Sequence, residues 1–122
     1  MYNQPPAVSP RRSLNWAAID LDGTLAQGIW TPDDPTSEIG PPISHNISLL
    51  FKLVELGWKP HIHTSRAWTD HERIKTWLEY WQIPYDQIHC GKLLAGMYVD
   101  DRAVNAGDKV WSLTGEWIGV DD

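Results

Sequence analysis

Short apolar runs that alternate with helix-patterned segments constrain this chain most. Residues 14–21, "LNWAAIDL", are short enough for a buried strand. Residues 43–57, "ISHNISLLFKLVELG", repeat Ile47, Leu50, Phe51 and Val54 at helical spacing, with Ser44 as N-cap and Gly57 as the stop. "WKPHIHTS" is a second strand. "TDHERIKTWLEYWQ" is a second helix, capped by Thr69 or Asp70, with Ile74, Trp77, Leu78 and Trp81 as its apolar stripe and Pro84 ending the region. "YDQIHC" and "MYVDD" are two further strand candidates, with "GKLLAG" as a loop or single turn between them. "KVWSLTGEWIGV" reads as one or two final strands. Strands alternating with helices imply βαβ units and a mostly parallel sheet. In such sheets ligands bind beyond the carboxyl ends of the strands. The polar clusters Asp20/Asp22, Thr64/Ser65/Arg66 and Asp100/Asp101 all fall at such ends.

The remaining segments are simpler. Residues 1–13 are Pro-rich and aperiodic and read as a loose tail, leaving 14–122 as one domain. Residues 26–42 carry Pro and Gly throughout and read as loop or a small hairpin. The net charge of −6, without a Lys/Arg block, argues against a sequence-independent nucleic-acid binder. Cys90 is the single cysteine, so an internal disulfide and a Cys-based zinc site are both excluded. No stretch is long and apolar enough for a membrane span, and the N-terminus lacks a signal-peptide core, so a soluble cytoplasmic protein is expected. Most of the eight tryptophans are expected to pack against the core.

Asp20-Leu21-Asp22-Gly23 alone could be a capped turn. An EF-hand fails, because counting from Asp20 puts Leu25 where Gly is needed and Thr31 where Glu is needed. Asp100 and Asp101 add a second acidic pair after a strand. Four carboxylates at adjacent strand ends repel one another unless a cation lies among them. Hard oxygen donors without thiolates point to Mg²⁺. Thr64, Arg66 and Lys92 add a hydroxyl and two cations, and the whole set describes a phosphoryl-transfer site. His61 and His63 are expected to be packed or paired, and nothing supports a second metal site on His71 and His89.

Four motifs in order, Asp20–Leu25 ("DLDGTL"), Thr64 in "HIHTSR", Lys92, and Asp100-Asp101 in "YVDDRAVN", resemble those of the haloacid dehalogenase superfamily of phosphohydrolases over about residues 14–105. Leu93 follows Lys92 where the family more often has Pro. The resemblance implies a three-layer Rossmann-like α/β fold with strand order 3-2-1-4-5. It implies a Mg²⁺-dependent phosphatase in which Asp20 becomes an aspartyl-phosphate and Asp22 is the general acid/base. Thr64 would bind the phosphate and Lys92 would balance its charge. Asp20, the Asp22 carbonyl, Asp101 and Asp100 would hold the metal, with Asp101 as the direct acidic ligand of the last pair. The gaps Ala26–Pro60 and Ser65–Gly91 have no room for a cap domain. A capless site admits large phosphorylated substrates, and oligomerisation can supply a missing lid. Arg66, Trp30 and Trp68 are the expected substrate contacts at the rim. Two other readings stand beside this one: a catalytically silent binding module, and a phosphatase of nucleic-acid end repair.

Overall fold

The computed structural model describes residues 15–107. In chain order it contains β1 (Trp16–Ile19), α1 (Ser44–Glu55), β2 (Lys59–His63), a 3-10 turn (Trp68–Asp70), α2 (His71–Tyr80) and β3 (Gln87–His89). The three strands form a parallel sheet in the order β1-β2-β3. Ile19 pairs with Ile62, and Ile62 with Ile88, so one row of isoleucines crosses the sheet. That row faces the helices. Right-handed crossovers between strands that advance in one direction put both helices on the same face. There Ile19, Ile62 and Ile88 pack with Leu49, Leu50 and Leu53 of α1 and Ile74 and Leu78 of α2.

The alternation within each strand gives the opposite face its character. Trp16, Ala18, Lys59, His61, His63, Gln87 and His89 lie on it. Trp16 meets His61 edge-on at 5.2 Å between ring centroids, and His61 meets His89 at 5.5 Å. Among the described residues no helix covers this face.

Both helices end in the same way. After α1, Gly57 takes a φ of +96° and donates to the Val54 carbonyl, while Trp58 N–H reaches the Leu53 carbonyl. After α2, Gln82 takes a φ of +56° and donates to Glu79, while Ile83 N–H reaches Leu78. Each is a Schellman closure. The helix starts differ from expectation. Ile43, not Ser44, is the N-cap of α1, and no side chain caps it. The buried face of α1 is Asn46, Leu49, Leu50 and Leu53, and Phe51 and Val54 are exposed. Asn46 accounts for this rotation: its amide donates to the Thr24 carbonyl at 2.8 Å, which turns the polar side chain inward. Asp70 does stand at the N-cap of α2, but its carboxylate bonds arginines instead of the helix.

The largest correction concerns "MYVDD". Residues 97–101 form no strand, and Met97, Val99, Asp100 and Asp101 are exposed. The segment lacks the two-sided burial that a strand inserted beside β1 would have. The described architecture is therefore an α/β unit of a three-stranded parallel sheet under one layer of helices. The expected tail at 1–13 and final strands at 109–120 lie outside the described residues.

Candidate active site

Asp20 and Asp22 leave the carboxyl end of β1 on a tight loop that the apolar residues of the motif hold in place. Leu21 and Leu25 are fully buried, and the Leu21 carbonyl accepts from the N–H groups of Thr24, Leu25 and Ala26. Gly23 takes a φ of +81° and donates to the Ala26 carbonyl, closing a turn that side chains with a Cβ resist. Leu21 fills the core between the two carboxylates, and Asp22 turns to the buried guanidinium of Arg66. Asn46, reaching across from α1, clamps the same loop through Thr24.

β2 delivers Thr64, which is buried and whose N–H donates to the His89 carbonyl. The Thr64 carbonyl accepts from Lys92 N–H at 2.9 Å, so the loop after β3 is tied to the end of β2. The Thr64 hydroxyl accepts from Arg66 N–H at 3.1 Å, leaving its own hydrogen for another acceptor. Lys92 lies near enough to Asp20 to act on it electrostatically. Its ammonium also stands 4.8 Å from the Tyr98 ring centroid. Burial pushes the Asp20 carboxyl above its ordinary value and the Asp22 charge adds to this, while Lys92 and the N–H of Leu21 oppose it. The Leu21 N–H bond to Asp20 Oδ1 is 2.8 Å.

Arg66 stands elsewhere than expected. It is not at the rim but is 1% exposed. Its Nε and Nη2 donate to the two oxygens of Asp22 at 2.8 and 2.9 Å, and its Nη1 donates to Asp70 at 2.8 Å and to the Ser37 carbonyl at 2.7 Å. Asp70 also holds Arg73 at 3.3 Å, and Arg73 donates to the Thr36 carbonyl at 2.7 Å. Two arginines organised by one aspartate thus anchor the loop of residues 26–42 over the site. Spacing alone gives no signal for Asp70, Ser37 or Asn46 as parts of it.

Trp68 is half-exposed, stacks on His71 at 6.0 Å and meets His89 edge-on at 5.7 Å. Its indole borders Gly91, the residue before Lys92, which puts Trp68 at the mouth. Trp30 donates to the Pro35 carbonyl at 3.1 Å and so packs on its own loop.

The expected four-carboxylate metal site is not assembled. Among the described residues no group of three or more His, Cys, Asp or Glu side chains is placed to hold a metal ion. Both oxygens of Asp22 are taken by Arg66, and Asp100 accepts from its own neighbour Arg102 N–H at 2.7 Å. As arranged, these acidic side chains do not converge on one point, and no step below is routed through a metal. The fold thus brings together Asp20, Asp22, Thr64, Arg66 and Lys92, while Asp100 is exposed and bonded to its own loop.

No family model and no curated protein matches the chain. A solved structural-genomics target from Vibrio cholerae is 30% identical to it, with a TM-score of 0.61 over 82% of this chain and 94% of that one. The chain belongs to one family with that protein, whose name states no function. No helix among the described residues is long and apolar enough to cross a membrane.

Proposed function

We infer that the chain is a phosphate monoester hydrolase acting through an aspartyl-phosphate on Asp20. The observation that carries this reading is the gathering of Asp20, Asp22, the Thr64 hydroxyl and Lys92 at the carboxyl end of a parallel sheet. An aspartate desolvated in this way and faced by an ammonium suits covalent catalysis, because the cation offsets the charge of an incoming phosphoryl group. Asp20 attacks phosphorus, and the ester P–O bond breaks with its electron pair on the leaving oxygen. Water then attacks the aspartyl-phosphate, Asp22 accepts its proton, and the P–O bond to Asp20 breaks to regenerate the carboxylate. Asp22 passes the proton on to the departed alkoxide or to solvent. Thr64 donates its free hydroxyl hydrogen to a phosphoryl oxygen, and Lys92 neutralises the transferring group.

The resemblance in motif order extends this proposal to a capless domain, a Mg²⁺ requirement and a cytoplasmic setting. A Mg²⁺ ion would be held by the hard oxygen donors of Asp20, the Asp22 carbonyl and the Asp100–Asp101 pair, drawn together from the separate positions described above, and would offset the phosphoryl charge. The exposed face of Trp68 suits a flat group on a phosphorylated substrate.

Hydrolysis of p-nitrophenyl phosphate, with and without Mg²⁺, in wild type and Asp20→Asn tests the reading. The expected result is activity that needs the metal and falls at least a thousandfold in the variant. Equal rates in both proteins exclude Asp20 as nucleophile. Inactivity of the wild type on a panel of aryl, sugar and nucleotide phosphates favours a silent binding module.

A further inference from the structure

The geometry points to Arg66 as a positioning residue that presets Asp22 for the water-attack half of the reaction. This rests on the aspartyl-phosphate reading above. Arg66 is a fully buried cation, and burying a guanidinium is strongly unfavourable unless carboxylates meet it. Two do: Asp22 through a two-armed fork and Asp70 through a single bond. The Asp22 side chain is itself only 11% exposed.

The fork has a chemical consequence. A planar guanidinium that engages both oxygens of a carboxylate fixes the plane of that carboxylate. Its two remaining lone-pair directions are then fixed as well. A carboxylate held by a cation in this way is an acceptor. It is ready to take a proton from water attacking the phosphoryl group on Asp20. To act as a donor to a leaving oxygen, it must first carry a proton and give up an arm of the fork. Arg66 therefore acts through Asp22, and its effect falls on the second half-reaction more than on the first.

The hold on Arg66 is built from distant parts of the chain. Ser37 comes from the loop over the site, Asp70 from the start of α2, and the Thr64 hydroxyl takes the Arg66 N–H. The residue that orients the base thus also ties it to the phosphate-binding threonine and to the overlying loop. Lysine in this place keeps the charge but has no fork.

The two halves separate in a rapid-mix experiment with p-nitrophenyl phosphate, because p-nitrophenolate departs without needing a proton. The first phase reads its release as Asp20 is phosphorylated, and the steady state reads hydrolysis of the aspartyl-phosphate. In Arg66→Lys the steady-state rate is expected to fall tenfold to a hundredfold, the range expected for a misplaced general base. The first phase should change less than threefold, leaving a burst of about one p-nitrophenolate per enzyme. Asp70→Asn, which loosens Arg66 without touching Asp22, should show the same signature with a two- to fivefold loss; it serves if Arg66→Lys does not fold. Arg73→Ala, which removes the neighbouring loop contact, should stay within twofold of wild type in both phases. A parallel fall of both phases, or no fall in either, in a folded Arg66→Lys or Asp70→Asn overturns the positioning role alone. A wild type without Asp20-dependent turnover removes the phosphatase reading and this inference with it.

Discussion

Asp20 sits in a conflict that its neighbours only partly relieve. In an unfolded chain its carboxyl ionises near its ordinary 3.8, whereas burial, followed by the Asp22 charge, raises that value in the fold against the pull of Lys92. The unfolded state therefore loses the proton first as pH rises. Above the folded value both states are ionised, and the fold carries the full penalty. Stability from this group is present below 3.8 and is lost as pH climbs through the folded value. Asp20→Asn removes the penalty. In metal-free buffer at pH 7 the variant should melt a few degrees higher than wild type, since about 1 kcal/mol moves the Tm of a small domain by roughly 4–8 °C. The gain should vanish below pH 3.8, where the wild-type carboxyl is also neutral. Identical melting curves at pH 7 would refute the penalty. A site that weakens its own fold is what a functional constellation leads one to expect. At this scale Asp20, Asp22, Thr64 and Lys92 were legible, because each ends a strand or follows one. Arg66 was legible only as a nearby cation. Its fork to Asp22 spans a sequence separation of 44, and no local pattern reports such a pairing.

Elements were legible wherever period and punctuation agreed. Both helices fall inside the segments with helical spacing, and β1, β2 and β3 fall inside the short segments read as strands. The errors arose where a polar side chain had a distant use. Asn46 bonds Thr24, and Asp70 bonds two arginines instead of capping α2. Neither use shows in a moment or a cap rule. The C-terminus of α2 is a case where the motif is present but its usual residue is not. Gln82 occupies the left-handed position at a φ of +56°, where α1 has Gly57. A side chain with a Cβ costs about 1–2 kcal/mol there, while glycine costs entropy in the unfolded chain. Gln82 is exposed, and its backbone bond to Glu79 does not depend on the side chain. Gln82→Gly should therefore stabilise the protein by about 0.5–1 kcal/mol. Urea unfolding should show a higher midpoint at unchanged slope. A lower midpoint would mean that the Gln82 side chain makes a contribution larger than its backbone strain.

For the whole molecule, the two faces of the sheet differ in kind. One carries the isoleucine row under the helices; the other carries His61, His63 and His89. Strand alternation in "HIH" displays this division, but the pairing of His63 with His89 requires the register. The histidine face links stability to acid. Burial pushes the His63 imidazole below its ordinary 6.5, and Lys92 and His89 push the same way while Asp20 opposes them. The folded protein thus binds fewer protons on His63 than the unfolded chain does over the interval below 6.5. Stability must fall with acidity there, because protons favour the state that binds more of them. His63→Gln keeps a polar side chain of similar reach and removes the titration. The drop in Tm between pH 7.5 and pH 5.5 should be smaller in the variant by a few degrees, while the two proteins differ little above pH 7.5. Lys92 ties this effect to the site, since the same ammonium acts on both His63 and Asp20. In Lys92→Met the His63 imidazole loses a repelling charge, so the acid limb should flatten there too, even with His63 in place. If His63→Gln flattens the limb and Lys92→Met does not, burial alone sets the His63 proton affinity, and the electrostatic tie between the histidine face and the site is broken.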